Sequence, residues 1–390
     1  MRALLFVVIC YNIILMNREP QVVTTKITNL QDAGPSRKKK WISVLGKALG
    51  RSLLVLLETV LLLAIVLYGV MYVLAKGPSP TARDIFVMSV RETSAVGFLA
   101  DLFFTPEEIA AIEAKEAEEE YIETDTSLIV IPTEPTGEQT DTGPVADPWG
   151  FVDEDGDGII VDKVSGEGYN GFMMVVLDPA RVIMGCRPEL FGARGSTVAE
   201  MAEHFGAVAA INAGGFEDLN GEGAGETPNS MVVFDGQMYY AESGVQNGFV
   251  GLDSDYILHV GKLYPDAIRE RDIQYGVSFG PVLVANGEIT QQAREGSGVN
   301  PRTAIGQRSD GAILMLVIDG RQLTSLGATY GDLAEIMIGY GAVNACNLDG
   351  GSSTLMWYEG EYINNCASVI GIRPVPTTFL VLPKEDGSHG

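Results

Sequence analysis

Residues 347–354 read Asn-Leu-Asp-Gly-Gly-Ser-Ser-Thr and follow directly on the apolar run AVNAC at 342–346. A strand that ends in paired glycines lets a ligand come close to the backbone. The flanking Asn347, Asp349, Ser352 and Ser353 then offer donors and acceptors on a rigid frame; a polar tight turn is the plainer alternative. Just upstream, TYGDLAEIMIGY at 329–340 predicts a helix opened by Thr329 and Asp332 at capping-box spacing. The same construction occurs earlier: a helix over Thr197–Phe205, the strand AVAAIN, then Asn212-Ala213-Gly214-Gly215-Phe216. The repeat predicts two glycine loops, 211–215 and 347–351, meeting at the C-terminal ends of sheet strands, where α/β folds place ligands.

Between and around these units run short β-branched segments bounded by glycine, among them GFMMVVLDPARVIMG, MVVFDGQMYYAE, SFGPVLVANGEI and RTAIGQRSDGAILMLVIDGRQ. Asp235-Gly236, Asn286-Gly287 and Asp310-Gly311 mark them as hairpins. Residues 149–385 are therefore expected to form one α/β (mixed α+β) domain with a mixed β-sheet core and flanking helices. Arg302, braced by Pro301 at the start of a strand, suits bidentate contact with phosphate or carboxylate, with a structural salt bridge as the alternative. Asp319-Gly320-Arg321 follows the strand LMLVI and supplies a second acid, Asp319, unless it is a plain turn.

The charge is unevenly spread. Lys and Arg number 26 against 51 Asp and Glu, a net −25 over 390 residues, yet residues 1–75 carry nine basic residues against Glu19, Asp32 and Glu58. A polyanionic body repels the phosphates that nucleic-acid binders must approach, so no nucleic-acid partner is expected. Residues 52–75, SLLVLLETVLLLAIVLYGVMYVLA, hold one charge, Glu58, and are long enough to cross a bilayer as a helix. Lys38, Lys39, Lys40, Lys47 and Arg51 crowd the N-terminal flank, which predicts a single-pass anchor with a cytoplasmic N-terminus and an extracytoplasmic domain. Residues 1–51 are then a basic cytoplasmic tail, with Met16 the expected initiator and 1–15 a mis-assigned start. Residues 76–120 read as a juxtamembrane helical stalk, and 121–148, acidic and poor in apolar residues, as a solvated disordered linker.

Taken in order, INAGGF, SFGPVLVANGEI, NPRTAIG, VIDGR, NLDGGSSTLM and RPVPTTFLV resemble the phosphodiester glycosidase family over roughly residues 150–382. Ala213 and Glu217 depart from that family's usual Asn-Gly-Gly-Phe loop. The resemblance implies a hydrolase outside the cytoplasm that splits a sugar-1-phosphate diester at the anomeric bond. Glycoside hydrolysis needs carboxyl groups around an oxocarbenium-like transition state, and a phosphate leaving group shifts the demand from acid assistance toward positive charge. Asp349 is accordingly expected as the principal catalytic carboxylate, with Asp319 second and Arg302 gripping phosphate. Asn212, Gly214, Gly215, Asn347, Gly350, Gly351, Ser352 and Ser353 are expected to bind the sugar. The rival expectation is a non-catalytic sugar-phosphate-binding protein of envelope or exopolysaccharide assembly; a structural adhesin is the third.

Asp153, Asp155 and Asp157, with Gly158 next, resemble the start of a calcium loop, although Val164 stands where its terminal Glu belongs; an acidic hairpin turn is the competing expectation. No other cofactor is expected, and the three histidines have no metal-ligand spacing. Cys346 and Cys366 could form a bridge, against the simpler expectation of buried free thiols.

Overall fold

The computed structural model describes residues 35–91, 96–117, 122–131, 146–217, 223–240, 247–294, 297–368 and 371–384. The expected initiator Met16 lies outside them, as does most of the acidic linker. The chain divides into two compact units, residues 1–73 and 74–390.

The first unit is dominated by helix α1 (Pro35–Lys76), which begins well before the expected residue 52. Its stretch Gly46–Lys76 is long and apolar enough to cross a membrane, with no part of its most apolar window buried. Leu53, Leu57 and Leu63 are among its outward-facing side chains.

In the second unit the strands form three large antiparallel sheets and one two-stranded ribbon among the described residues. The seven-stranded sheet runs β1 (Ile159–Gly166), β2 (Tyr169–Val176), β15 (Ile313–Ile318), β14 (Arg302–Arg308), β16 (Ala342–Leu348), β12 (Val282–Ala285) and β13 (Glu288–Ile289). A five-stranded sheet runs β10 (Leu258–Leu263), β9 (Asn247–Asp253), β11 (Ile273–Val277), β7 (Val232–Phe234) and β8 (Gln237–Tyr240). The other five-stranded sheet runs β18 (Glu361–Tyr362), β17 (Met356–Tyr358), β4 (Ala209–Asn212), β19 (Thr377–Val381) and β3 (Val182–Cys186), while β5 (Phe216–Glu217) pairs with β6 (Thr227–Pro228). The mixed helix-and-sheet class matches expectation, and among the described residues every strand pairing is antiparallel. The two helix-to-strand units feed different sheets, so the crossover geometry of a parallel sheet never arises.

The continuous apolar strand ILMLVI at β15 is explained by burial on both faces. One face carries Met315 and Val317 into a core shared with Met184, Ile211 and Phe379 of the β4 sheet and Val250 and Leu258 of the β9 sheet. The other turns Leu314 and Leu316 toward Leu333, Ala334 and Met337 of the helix over Tyr330–Gly339. The helix over Val198–Phe205 covers the outer face of the β4 sheet through Val198, Met201 and Ala202. Both helices open with capping boxes, Thr329 with Asp332 as expected and Thr197 with Glu200 as well. Asp235-Gly236 and Asn286-Gly287 have positive φ at both positions, the condition for the two-residue turns joining β7 to β8 and β12 to β13.

The stalk and linker expectations are corrected in part. Helix α2 (Pro80–Arg91), the short α3 (Phe98–Asp101) and α4 (Pro106–Ala117) pack on one another and on the domain, burying Val87, Met88, Val90, Phe103, Phe104, Ile109 and Ile112. The Ser89 hydroxyl accepts from Val299 N at 2.8 Å, and a Cβ on Gly298 would lie 2.4 Å from Ser89 N. Residues 122–131 then cross the domain as a strap: Thr124 Oγ1 bonds both N and O of Val260, Asn286 bonds Asp125 N and Glu123 O, and Val130 N reaches Ser309 O. At the linker's end Asp147 bonds fully buried Arg308 at 2.5 Å, with Trp149 stacked on the guanidinium at 3.9 Å. Acidic composition predicted solvation here because it says nothing of the few apolar and hydrogen-bonding positions that find partners on a finished domain. A fragment starting at Asp147 is expected to melt about 5 °C or more below one starting at Gly77, since one or two kcal/mol moves a domain of this size by several degrees. Scanning calorimetry of the two fragments checks this, and equal midpoints would show the helices and strap to be dispensable.

Candidate active site

Strands β4 and β16 end side by side at the seam between two sheets, and the two glycine loops that follow are tied together there. Asp349 N donates to Ala213 O at 2.9 Å, and the Asn212 amide donates to Asp349 O at 2.5 Å. Asn212 Oδ1 in turn accepts from Thr303 Oγ1 at 2.8 Å and from Leu355 N at 3.1 Å. The third segment joins through Gly351 N, which donates to Pro301 O at 2.8 Å. At Gly350 a Cβ would fall 2.7 Å from that same carbonyl oxygen, and Gly351 has φ +61°, so neither position admits a side chain without strain.

Around this junction opens a cleft of about 480 Å³, lined by Gly215, Asn229, Phe279, Asn300, Arg302, Arg321, Tyr330, Asn347, Asp349, Gly350, Gly351, Ser352, Ser353 and Arg373, among others. Arg302 is buried, its Nη2 donating to Gly298 O at 2.7 Å and its guanidinium lying 4.3 Å from the Tyr330 ring centroid. Arg321 Nη2 reaches Asn300 Oδ1 at 3.1 Å, and Arg373 Nη1 reaches the Ser352 hydroxyl at 2.7 Å. Asn347 donates to Gly280 O at 2.8 Å, which leaves its buried Oδ1 without a protein partner at the cleft wall. A buried acceptor in that state is costly unless something else, such as a ligand hydroxyl, donates to it.

Among the described residues that line the cleft, Asp349 is the one carboxylate. The residue is partly open to the cleft, yet its carboxyl is ringed by protein. Desolvation pushes it up to about 6, against the opposing pull of the Ser353 hydroxyl, the Arg373 charge and the Gly350 N–H.

The structure thus brings Asp349, Arg302, Gly215, Asn347, Gly350, Gly351, Ser352 and Ser353 to one cleft. It places three expected site residues elsewhere. Asn212 is completely buried, and its side-chain amide ties the two loops together behind the cleft. Gly214 lies behind the cleft, its N donating to Thr377 Oγ1. Asp319 is buried beneath the Arg321 loop. Its carboxylate accepts from Asn364 Nδ2 at 3.1 Å, Asn365 N at 2.9 Å and Asn365 Nδ2 at 2.9 Å, so it braces the chain at 364–365 and is not among the residues lining the cleft. Arg321, Arg373 and Asn229 were not anticipated. A usable signal existed for Arg373: it abuts Pro374 as Arg302 abuts Pro301.

Asp153, Asp155 and Asp157 do converge, with ligand oxygens within 4.8 Å of one another, and could hold an ion. The rest of the loop does not follow a calcium loop. It enters strand β1 at Ile159, Val164 is buried in that strand, and the carbonyls of Gly156 and Asp157 accept from Lys384 and Arg181. The triad shares no residue with the cleft. Cys186, Cys346 and Cys366 are free thiols, and burial pushes Cys186 up to about 12.

A cleft with three guanidinium groups, one carboxylate and a rim of amides and hydroxyls is built for an anionic, hydroxyl-rich ligand. Comparison with known proteins agrees with that chemistry: residues 205–382 match the family model described as phosphodiester glycosidase. A Bacillus subtilis (strain 168) relative, the SPbeta prophage-derived uncharacterized protein YomE, is 34% identical over 202 residues, covering 49% of this chain and 30% of its own. N-acetylglucosamine-1-phosphodiester alpha-N-acetylglucosaminidase of Bos taurus is 29% identical over 185 residues, covering 43% of this chain and 34% of its own. The chain spans about a third of the length of these two relatives. The zebrafish N-acetylglucosamine-1-phosphodiester alpha-N-acetylglucosaminidase catalytic domain, auto-inhibited by its pro-peptide, superposes with a TM-score of 0.48 at 21% identity over 58% of this chain and 82% of that one.

Proposed function

We propose that this protein is a membrane-anchored, extracytoplasmic phosphodiester glycosidase that hydrolyses the anomeric bond of a sugar-1-phosphate diester in surface glycans or glycolipids. The observation that carries this is the placement of Asp349, the cleft's carboxylate, within a ring of Arg302, Arg321 and Arg373. Water adds to the anomeric carbon, the C1–O bond breaks, and the products are free sugar and a phosphate monoester. A phosphate oxygen leaves as a stable anion, so the arginines do most for the departing group by neutralising its charge. Asp349, ionised above about pH 6, acts on the opposite side, on the attacking water or on the anomeric carbon itself. Asn347 Oδ1 accepts from a sugar hydroxyl. No step uses the Asp153–Asp157 triad, where calcium remains a separate proposal.

The full chain in detergent, incubated with soluble sugar-1-phosphodiesters in isotopically labelled water, is expected to release free sugar that carries the label. Label in the phosphate would place cleavage at P–O and remove the glycosidase assignment. Saturable binding with no release would support the rival reading of a sugar-phosphate-binding protein in envelope polysaccharide assembly.

A further inference from the structure

Two of the three arginines that line the cleft stand on loops that also carry solvent-exposed aliphatic side chains. Leu323 is 106% exposed and Leu326 62%, both just after Arg321, and Ile372, immediately before Arg373, is 42% exposed. The Arg321 loop is braced. Gln322 and Ser325 exchange backbone hydrogen bonds at 2.9 and 3.3 Å, Leu326 N donates to Gly168 O at 2.7 Å, and Ser325 Oγ donates to Asp319 O at 2.6 Å. Gln322 Nε2 reaches Asn365 O at 3.3 Å, which joins this loop to the strand of chain leading toward Arg373. Leu323 is therefore held outward at the tip of a fixed turn. A lone exposed leucine needs no explanation; three exposed aliphatic side chains on the two loops that supply cleft arginines do.

We infer that these loops enter the interfacial layer of a lipid bilayer, and that the substrate is a sugar phosphodiester borne on that bilayer, its sugar-phosphate head in the cleft and its hydrocarbon in the membrane. The inference rests on the phosphodiester glycosidase reading above and narrows its substrate class. The pairing of guanidinium groups with aliphatic tips fits the phosphate level of a bilayer and the acyl region just below it. The same chain carries α1, long and apolar enough to cross a membrane, which keeps the domain at high effective concentration near a lipid surface. The net charge of −25 opposes strongly anionic surfaces, so a neutral bilayer is the fitting one.

The test uses the full chain reconstituted in phosphatidylcholine vesicles, wild type and Leu323→Ser/Leu326→Ser, with two substrates that share one sugar phosphate: a methyl diester in solution and a long-chain alkyl diester in the vesicle. The double variant is expected to lose about tenfold or more on the alkyl diester, as removal of two membrane-buried leucines implies. On the methyl diester it should stay within about twofold, both positions being exposed. Equal rates on both substrates, or equal losses on both, overturn the inference while leaving hydrolysis of the methyl diester as evidence for the general function. If wild type cleaves neither, the general reading fails, and membrane contact is still read separately. Leu323→Trp should show quenching by brominated lipid beyond that of the native tryptophans, and its absence overturns the bilayer assignment.

Discussion

Asp349→Asn is expected to fold and to lose at least about a hundredfold in turnover on a sugar-1-phosphodiester, the lower range for removing a positioned acid or base. The substitution keeps the volume and the ability to meet Ser353, so the loss isolates the ionisable oxygen. The wild-type pH profile carries the same signature. With the carboxyl pushed up to about 6 by desolvation, and the ionised form the working one, the rate should climb as pH rises through about 6 and then level. The variant's residual rate should show no such limb. Stability should move the opposite way. A carboxyl whose folded pKa stands above its ordinary value costs nothing below about pH 4, where both states are protonated, and costs most above about pH 6, where both are ionised. Asp349→Asn is therefore expected to melt higher than wild type at pH 7, with the gap closing toward pH 4. Near-normal turnover at pH 7 in the folded variant would remove Asp349 from the chemistry.

The second large effect is expected at Arg302. Arg302→Gln should lower kcat/KM by about a hundredfold or more, the scale for losing one positioned donor aimed at developing charge. Arg302→Lys should recover only part of it. The guanidinium lies over the Tyr330 ring while one nitrogen holds Gly298 O, an arrangement that a lysine ammonium does not reproduce. Steady-state kinetics on both variants, with melting curves to establish folding, measure this. A lysine variant at full activity would mean that point charge suffices; a glutamine variant above a tenth of wild type would make Arg302 a structural residue.

Much of the domain was legible because its local signals agree with its tertiary needs. The capping boxes at Thr197 and Thr329 and the turns at Asp235-Gly236 and Asn286-Gly287 form as their residue types dictate. The glycine pairs and the Pro-Arg step also met, because a strand end with no side chain in the way is where three backbones can approach. Antiparallel pairing was not legible: a helix followed by a strand has the same appearance whether the next strand lies beside it or in another sheet. Asn212 and Asp319 look like ligand-binding residues in a string of letters, yet each finds its partners from segments more than forty residues away, Thr303 and Leu355 for one, Asn364 and Asn365 for the other. Arg373 carried the same proline-adjacent signal as Arg302, but its place in the cleft follows only from the return of residues after β18 to that cleft. Residues 122–131 were misjudged for a related reason: the net acidity of the linker hid the few residues, Thr124 among them, that engage the domain.

The clamp formed by Asn212 has a practical consequence for anyone mapping this protein by random mutagenesis. Its amide joins β4 to the Asp349 loop and takes one hydroxyl and one backbone donor as well, so replacing it is expected to displace that loop by loss of support alone. A screen scored on product formation alone will rank Asn212 beside Asp349. Only a parallel measure of soluble yield or heat resistance will separate the residue that holds the tool from the one that cuts.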